Sequence, residues 1–178
     1  MSQSKIYGAL AEFESASSVY HACEQVRDAK YKHWDSFSPF PVHGLEKAMG
    51  LGRSKLAFIV FWVGLTGAAG AMTLQWWVSA VDYPIIIAAK PYFSWQAFIP
   101  VTFEVMVLFS AASTVLIMLF MNRLPRWHHP LLKVARFARA TDDRFYIAIE
   151  AKDPKFDADK TADFLRSIGA THVELVED

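Results

Sequence analysis

Hydrophobic and polar positions along the chain follow three rhythms. Ile6 to Phe13, IYGALAEF, alternates as a half-buried strand requires. After it, Ala16, Val19, Tyr20, Cys23 and Val26 recur at steps of three and four, the stripe of an amphipathic helix, with Ser15 and Ser17 as candidate N-caps. Lys32 to Phe37, KHWDSF, predicts a second short strand. The middle of the chain has neither rhythm: Leu56 to Ala80 carries no charge, and Ala97 to Met121 carries a single ionisable side chain, Glu104. A bilayer core of ~30 Å is crossed by roughly 20 apolar helical residues. Both runs are long enough, and together they predict a transmembrane hairpin with spans over 56–80 and 97–121 and a connecting loop over 81–96. Beyond it the first two rhythms return. Arg144 to Ala151, RFYIAIEA, alternates. A helix capped by Asp157 or Asp159 turns Ala158, Ala162, Leu165 and Ile168 inward and stops at Gly169. Thr171 to Val176, THVELV, closes as another strand.

The chain thus reads β-α-β, hairpin, β-α-β. Neither three-element half is large enough to bury a core alone, which predicts one α+β domain split by a membrane insertion. The order β-α-β-β-α-β is the ferredoxin-like pattern. The expected organisation is residues 1–54 as the first half with an SPFPVHG elbow (Ser38 to Gly44), 55–122 as the hairpin, and 123–178 as the second half.

Average composition does not reveal this, because 53% hydrophobic residues, 20% charged residues and zero net charge also suit a soluble domain. The distribution of charge decides. Between Lys55 and Arg123 the only charges are Asp82, Lys90 and Glu104. Arg53 and Lys55 precede the first span, and Arg123, Arg126, Lys133, Arg136 and Arg139 follow the second, against a lone Lys90 in the loop. By the positive-inside bias both termini are expected in the cytoplasm and the loop on the far side of the membrane, making the chain a two-span membrane protein. Trp76, Trp77, Tyr83, Tyr92, Trp95 and Trp127 suit the headgroup level at the span ends. The first residues lack the basic, apolar and small-residue succession of a secretory signal. Zero net charge without a basic block gives no support for nucleic-acid binding, and no nucleic-acid partner is expected.

Candidate chemistry is sparse. Glu104 lies seven residues inside its predicted span, roughly 10 Å deep at 1.5 Å per residue, where an ionisable group is costly and by default a functional candidate. It reads either as a proton-relay or quinone-site carboxylate or as a hydrogen-bonding lock between helices. The lock is favoured, because Thr102, Ser110, Ser113 and Thr114 supply polar partners and the chain offers no titratable path from Glu104 to the cytoplasm. Gly64, Gly67 and Gly70 at steps of three, with Ala71 four beyond Gly67, form a small-residue face for close helix approach, and Gly64, Gly67 and Ala71 are candidate subunit contacts. In the elbow, Pro39, Phe40, Pro41 and His43 are further contact candidates, since two prolines stiffen the backbone. Glu46 to Met49 is expected to form an amphipathic turn at the headgroups. Pairing Cys23 with His21, or His128 with His129, for a metal fails on geometry, because neighbours one or two apart splay. No CxxC, CxxCH, P-loop or dinucleotide fingerprint occurs, so no cofactor is expected in this chain.

SPFPVHG at Ser38 to Gly44, KPYFSWQAFIPVTFEVMVLFSA at Lys90 to Ala111, HP at His129 to Pro130 and DRFYIAIEAKDPKFD at Asp143 to Asp157 together resemble the ActD-like family of bacterial alternative complex III. The resemblance covers nearly the whole chain. It implies a non-catalytic accessory subunit of a membrane quinol oxidoreductase that passes electrons to a periplasmic acceptor. It also implies haem and iron–sulfur clusters in partner subunits, two large polytopic membrane partners, and a small two-span member with cytoplasmic ends. Glu104 falls on the family's FE position. Two competing classes are weaker. An autonomous oligomeric transporter or channel around Glu104 would line its pore with one shallow polar residue, and a membrane-tethered metal chaperone lacks paired cysteines.

Overall fold

The computed structural model describes residues 6–86 and 88–177. It divides into two compact units, one formed by the chain up to Gly52 and from Trp127 onward, the other by Arg53–Arg126.

In the first unit, β1 (Ile6–Phe13), α1 (Ala16–Asp28), β2 (Trp34–Phe37) and the single turn α2 (Leu45–Ala48) come from the amino-terminal side of the hairpin. Two 3-10 segments (Pro130–Lys133 and Ala135–Thr141), β3 (Phe145–Glu150), α5 (Ala158–Ser167) and β4 (His172–Glu177) come from the other side. The second unit holds α3 (Leu56–Trp77), continued by a π-helical turn to Asp82, and α4 (Trp95–Met121).

Strand order is β2-β3-β1-β4, with every pairing antiparallel. β1 lies between β3 and β4, its Leu10 opposite Ala148 on one side and Glu174 on the other. β2 pairs with β3. No strand therefore pairs with the strand of its own β-α-β half, and the ladder exists only when the two halves interleave. The caps follow the sequence signals: Ser15 and Ser18 form a reciprocal capping box on α1, Asp157 accepts from the Lys160 N–H at the start of α5, and Gly169 follows α5 with φ 98°.

One sheet face presents Ala9, Ala11, Phe13, Phe145, Ile147 and Ile149 to α1 and α5, closing a core with Val19, Cys23, Val26 and Leu165. The opposite face carries Leu10, Tyr146, Ala148 and Val176, and it is covered by Leu131, Phe137 and Ala140 of the 3-10 segments and by Val134 between them. Within the second segment Phe137 and Ala140 stand three apart, matching the three residues per turn of a 3-10 helix, so one edge of that segment stays on the sheet.

Two expectations are corrected. The Glu46 to Met49 turn does not carry its apolar side to the headgroups: Ala48 is fully buried and Leu45 and Met49 pack on the core, because Arg27 Nη1 donates to the Lys47 and Ala48 carbonyls and ties the turn to α1. The connection within the hairpin is shorter than 81–96, since the π turn carries the first long helix to Asp82 and α4 begins at Trp95.

Candidate functional site

The hairpin is built on close approach. Gly64, Gly67 and Ala71 are the buried residues of α3, and α4 fills the space beside them. A Cβ added at Gly67 would lie 3.0 Å from Phe109 Cβ and 3.3 Å from the Val105 carbonyl oxygen; at Gly64 it would overlap Ser110 Oγ. Gly70 faces open space. The small-residue face is therefore occupied within the hairpin by its own second helix. One turn further on, Gln75 Nε2 donates to Thr102 Oγ1 at 3.1 Å and to the Phe98 carbonyl at 3.3 Å. Ser110, Ser113 and Thr114 return their hydroxyls to carbonyls of α4.

These bonds consume the polar groups that the sequence offered to Glu104. Glu104 itself is exposed, on the side of α4 away from Gly64 and Gly67, and makes no hydrogen bond or ion pair among the described residues. Pro100 lies one turn before it, also exposed and inside the helix.

In the elbow, Pro39 is half-buried, and Phe40, though 54% exposed, sets its ring edge-to-face on Phe145 at 5.4 Å. Val42 packs on the core, while Pro41 and His43 stay exposed. Gly44 adopts φ 79° to enter α2, a left-handed conformation that glycine takes without a Cβ clash. The Phe40–Phe145 contact joins the chain before the hairpin to the chain after it.

Two polar clusters that no motif announced make the same join. Asp153 is 4% exposed; its Oδ2 accepts from the Lys32 and His33 N–H groups at 2.5 and 2.8 Å and its Oδ1 from the Lys155 N–H at 2.9 Å. Burial pushes this carboxyl up, but the three backbone donors and the neighbouring His33 outweigh it and leave the pKa below the ordinary value. On the other sheet face, Glu12 is 4% exposed. Arg136 Nη1 donates to its Oε2 at 3.2 Å, and Arg144 Nε lies 3.5 Å from its Oε1. The Tyr146 hydroxyl, beside Glu12, donates to the Arg136 carbonyl at 2.7 Å; burial, then the Glu12 charge, push its pKa up to about 12. For Asp153 the available signal was an acid followed by proline after a strand, a turn-forming pair. For Arg136 it was the three-residue recurrence of Lys133, Arg136 and Arg139, out of phase with Leu131 and Val134.

Cys23 is fully buried beside Ser36, and burial pushes its thiol up to about 12, which makes it a packing residue rather than a reactive thiolate. His21 points to Glu24 instead, with Nδ1 3.1 Å from Oε2. His129 caps the first 3-10 turn through Nδ1 and meets the Tyr7 hydroxyl through Nε2 at 3.3 Å, while His128 is exposed. Among the described residues no group of three His, Cys, Asp or Glu side chains is placed to hold a metal. An open apolar groove of about 790 Å³ runs between β2 and the 3-10 segments, lined by Phe37, His129, Leu132 and Phe137 among others.

Two helices of 27 residues, each apolar enough to cross a membrane, and an α+β unit with a four-stranded antiparallel sheet define a small membrane-associated protein whose sheet is assembled from both sides of its hairpin. The model of one family, described as Alternative complex III, ActD subunit, matches residues 7–175, and the chain belongs to that family. It is accordingly a subunit of a respiratory quinol oxidoreductase complex, with the other subunits of that complex as partners. Among curated proteins, none matches the chain. The autonomous transporter or channel gains no support from this membership.

Proposed function

We propose that the chain is a non-catalytic accessory subunit that stabilises the assembly of alternative complex III, while partner subunits carry the haem and iron–sulfur clusters and pass electrons from quinol to a periplasmic acceptor. The observation that carries this reading is the family match over nearly the whole chain. The chain's own carboxyls support it, since the two that are buried among the described residues, Asp153 and Glu12, are engaged in holding the fold. The hairpin spans the inner membrane, meets the large polytopic subunits and the lipid, and leaves both termini in the cytoplasm, as the basic flanks Arg53, Lys55, Arg123 and Arg126 favour. There the sheet unit is a ferredoxin-like domain interrupted between β2 and β3, a reading supported by the neighbour order β4-β1-β3-β2.

A tag on this chain tests the proposal. Purification in mild detergent is expected to recover haem-containing and iron–sulfur partners together with large membrane subunits. The isolated chain, stripped from them, is expected to show no haem absorbance and no quinol oxidation. Recovery of a homo-oligomer alone, or turnover by the isolated chain, contradicts it. Labelling of either terminus from the periplasmic face of sealed vesicles contradicts the orientation.

A further inference from the structure

We infer that Glu104 and the outward stripe of α4 around it form the surface on which the hairpin docks against a transmembrane helix of another subunit, one that presents a hydrogen-bond donor to the Glu104 carboxyl. The inference rests on the reading of the chain as a membrane subunit of its complex.

Three observations lead there. First, Glu104 lies nine residues into a 27-residue apolar helix and is exposed on the isolated hairpin. A carboxyl group at that depth facing lipid has no water to satisfy it, and intramembrane acids almost always face protein or a water-filled cavity. Second, the hairpin does not meet this need itself. Gln75 is turned to Thr102 and the Phe98 carbonyl, and the hydroxyls of Ser110, Ser113 and Thr114 are returned to their own helix. Third, Pro100 stands four residues before Glu104 on the same stripe and has no N–H for the Gln96 carbonyl. The stripe thus carries two acceptors lacking their ordinary donors, the carboxyl and a backbone carbonyl. What complements two acceptors is a donor.

The occupant is not a second copy of this chain. Two copies meeting through this stripe in a two-fold contact would set carboxyl against carboxyl, because Pro100, Val107, Leu108 and Ala111, which flank Glu104 on the exposed side, carry no side-chain donor. Lipid tails offer no donor either. The complex to which the family belongs supplies other subunits, and the small exposed Ala111 lets a neighbouring helix come close two turns from Glu104.

The test uses the whole complex purified from cells. A photo-crosslinking benzoylphenylalanine at Leu108, one turn from Glu104 and 64% exposed, is expected to label a larger membrane subunit on illumination. In parallel, Glu104→Leu should lower recovery of the chain with the complex by about five-fold, within the range one interhelical hydrogen bond is typically worth. Glu104→Gln, whose amide oxygen still accepts, should restore it to near the native level. Membrane levels of each variant, measured before extraction, separate lost docking from lost insertion. The inference is overturned if the Leu108 probe labels no protein or only this chain, if Glu104→Leu co-purifies like the native chain, or if Glu104→Gln is as impaired as Glu104→Leu. If the unaltered chain itself fails to co-purify with other subunits, the subunit reading falls first and this inference with it.

Discussion

The sheet unit and the hairpin solve opposite problems. The sheet unit turns its apolar residues inward on both faces of one sheet and buries the carboxyls that tie its two halves together. Among its described residues the hairpin buries only Gly64, Gly67, Ala71 and Ser113, while Phe58, Phe61, Leu65, Leu108 and Leu116 stand exposed. One region is stabilised by water's exclusion of apolar surface. The other, placed in lipid as proposed, has no such drive between its helices and relies on close backbone approach and a few hydrogen bonds. On the proposed placement in lipid beside neighbouring subunits, the hairpin's larger apolar surface lies outside itself, which accounts for an acid such as Glu104 standing without a partner in the chain alone.

The contrast between the two regions breaks most severely at Asp153. Asp153→Ala removes the acceptor of three backbone N–H groups from both sides of the hairpin, and the sheet unit should lose roughly 2–4 kcal/mol, read as faster hydrogen exchange at Lys32 and His33. The pH dependence has a defined sign. Because the folded carboxyl titrates below the ordinary value of ~3.9, its contribution is fully present above that value and is lost as pH falls through the lower folded value. Stability of the native sheet unit should therefore decline in acid more steeply than that of Asp153→Asn.

Next comes the hairpin. Gly67→Leu forces a side chain against Phe109 and the Val105 carbonyl and should cost about 1–3 kcal/mol of overpacking, while Gly70→Leu, in open space, should cost almost nothing. Thermal aggregation of the detergent-solubilised variants separates the two; equal midpoints would break the account of the interface. Smaller effects sharpen the contrast. Arg136→Ala should cost about 1 kcal/mol or less, because this half-exposed arginine is screened and Glu12 retains Arg144. Phe40→Ala, losing an edge-to-face pair, should cost about 0.5–1.5 kcal/mol. Gln75→Leu should weaken the hairpin by ~0.6–1.7 kcal/mol, and a loss as large as that of Gly67→Leu would shift the account from packing to hydrogen bonding.

Much of this was legible beforehand for physical reasons. Alternation in IYGALAEF and RFYIAIEA marks strands, and β1 and β3 fall there, but the half-buried expectation fails: both strands are buried on both faces, because the 3-10 segments cover the side that alternation left to solvent. Ser15, Asp157 and Gly169 mark helix ends because their side chains, or the absence of one, satisfy particular backbone groups. The apolar runs stand out because each lacks charge over a membrane's thickness. The region 130–141 was not legible as structure, because its three-residue recurrence competes with two prolines nearby and a dense run of basic residues. The outward placement of Glu104 was hidden because single-sequence periodicity is nearly silent in a helix apolar all round. What Gly64 and Gly67 face was equally hidden, since a small-residue stripe predicts close approach without naming the partner.

The central claim is that this chain holds the complex together without taking part in its chemistry, and deleting it tests this most directly. In membranes lacking the chain, the amount of assembled complex and the quinol oxidation rate per haem are measured side by side. The account predicts a large fall in assembled complex with the rate per haem of the surviving complex near normal. Normal assembly with a lost rate per haem would contradict it and make the chain part of the reaction path.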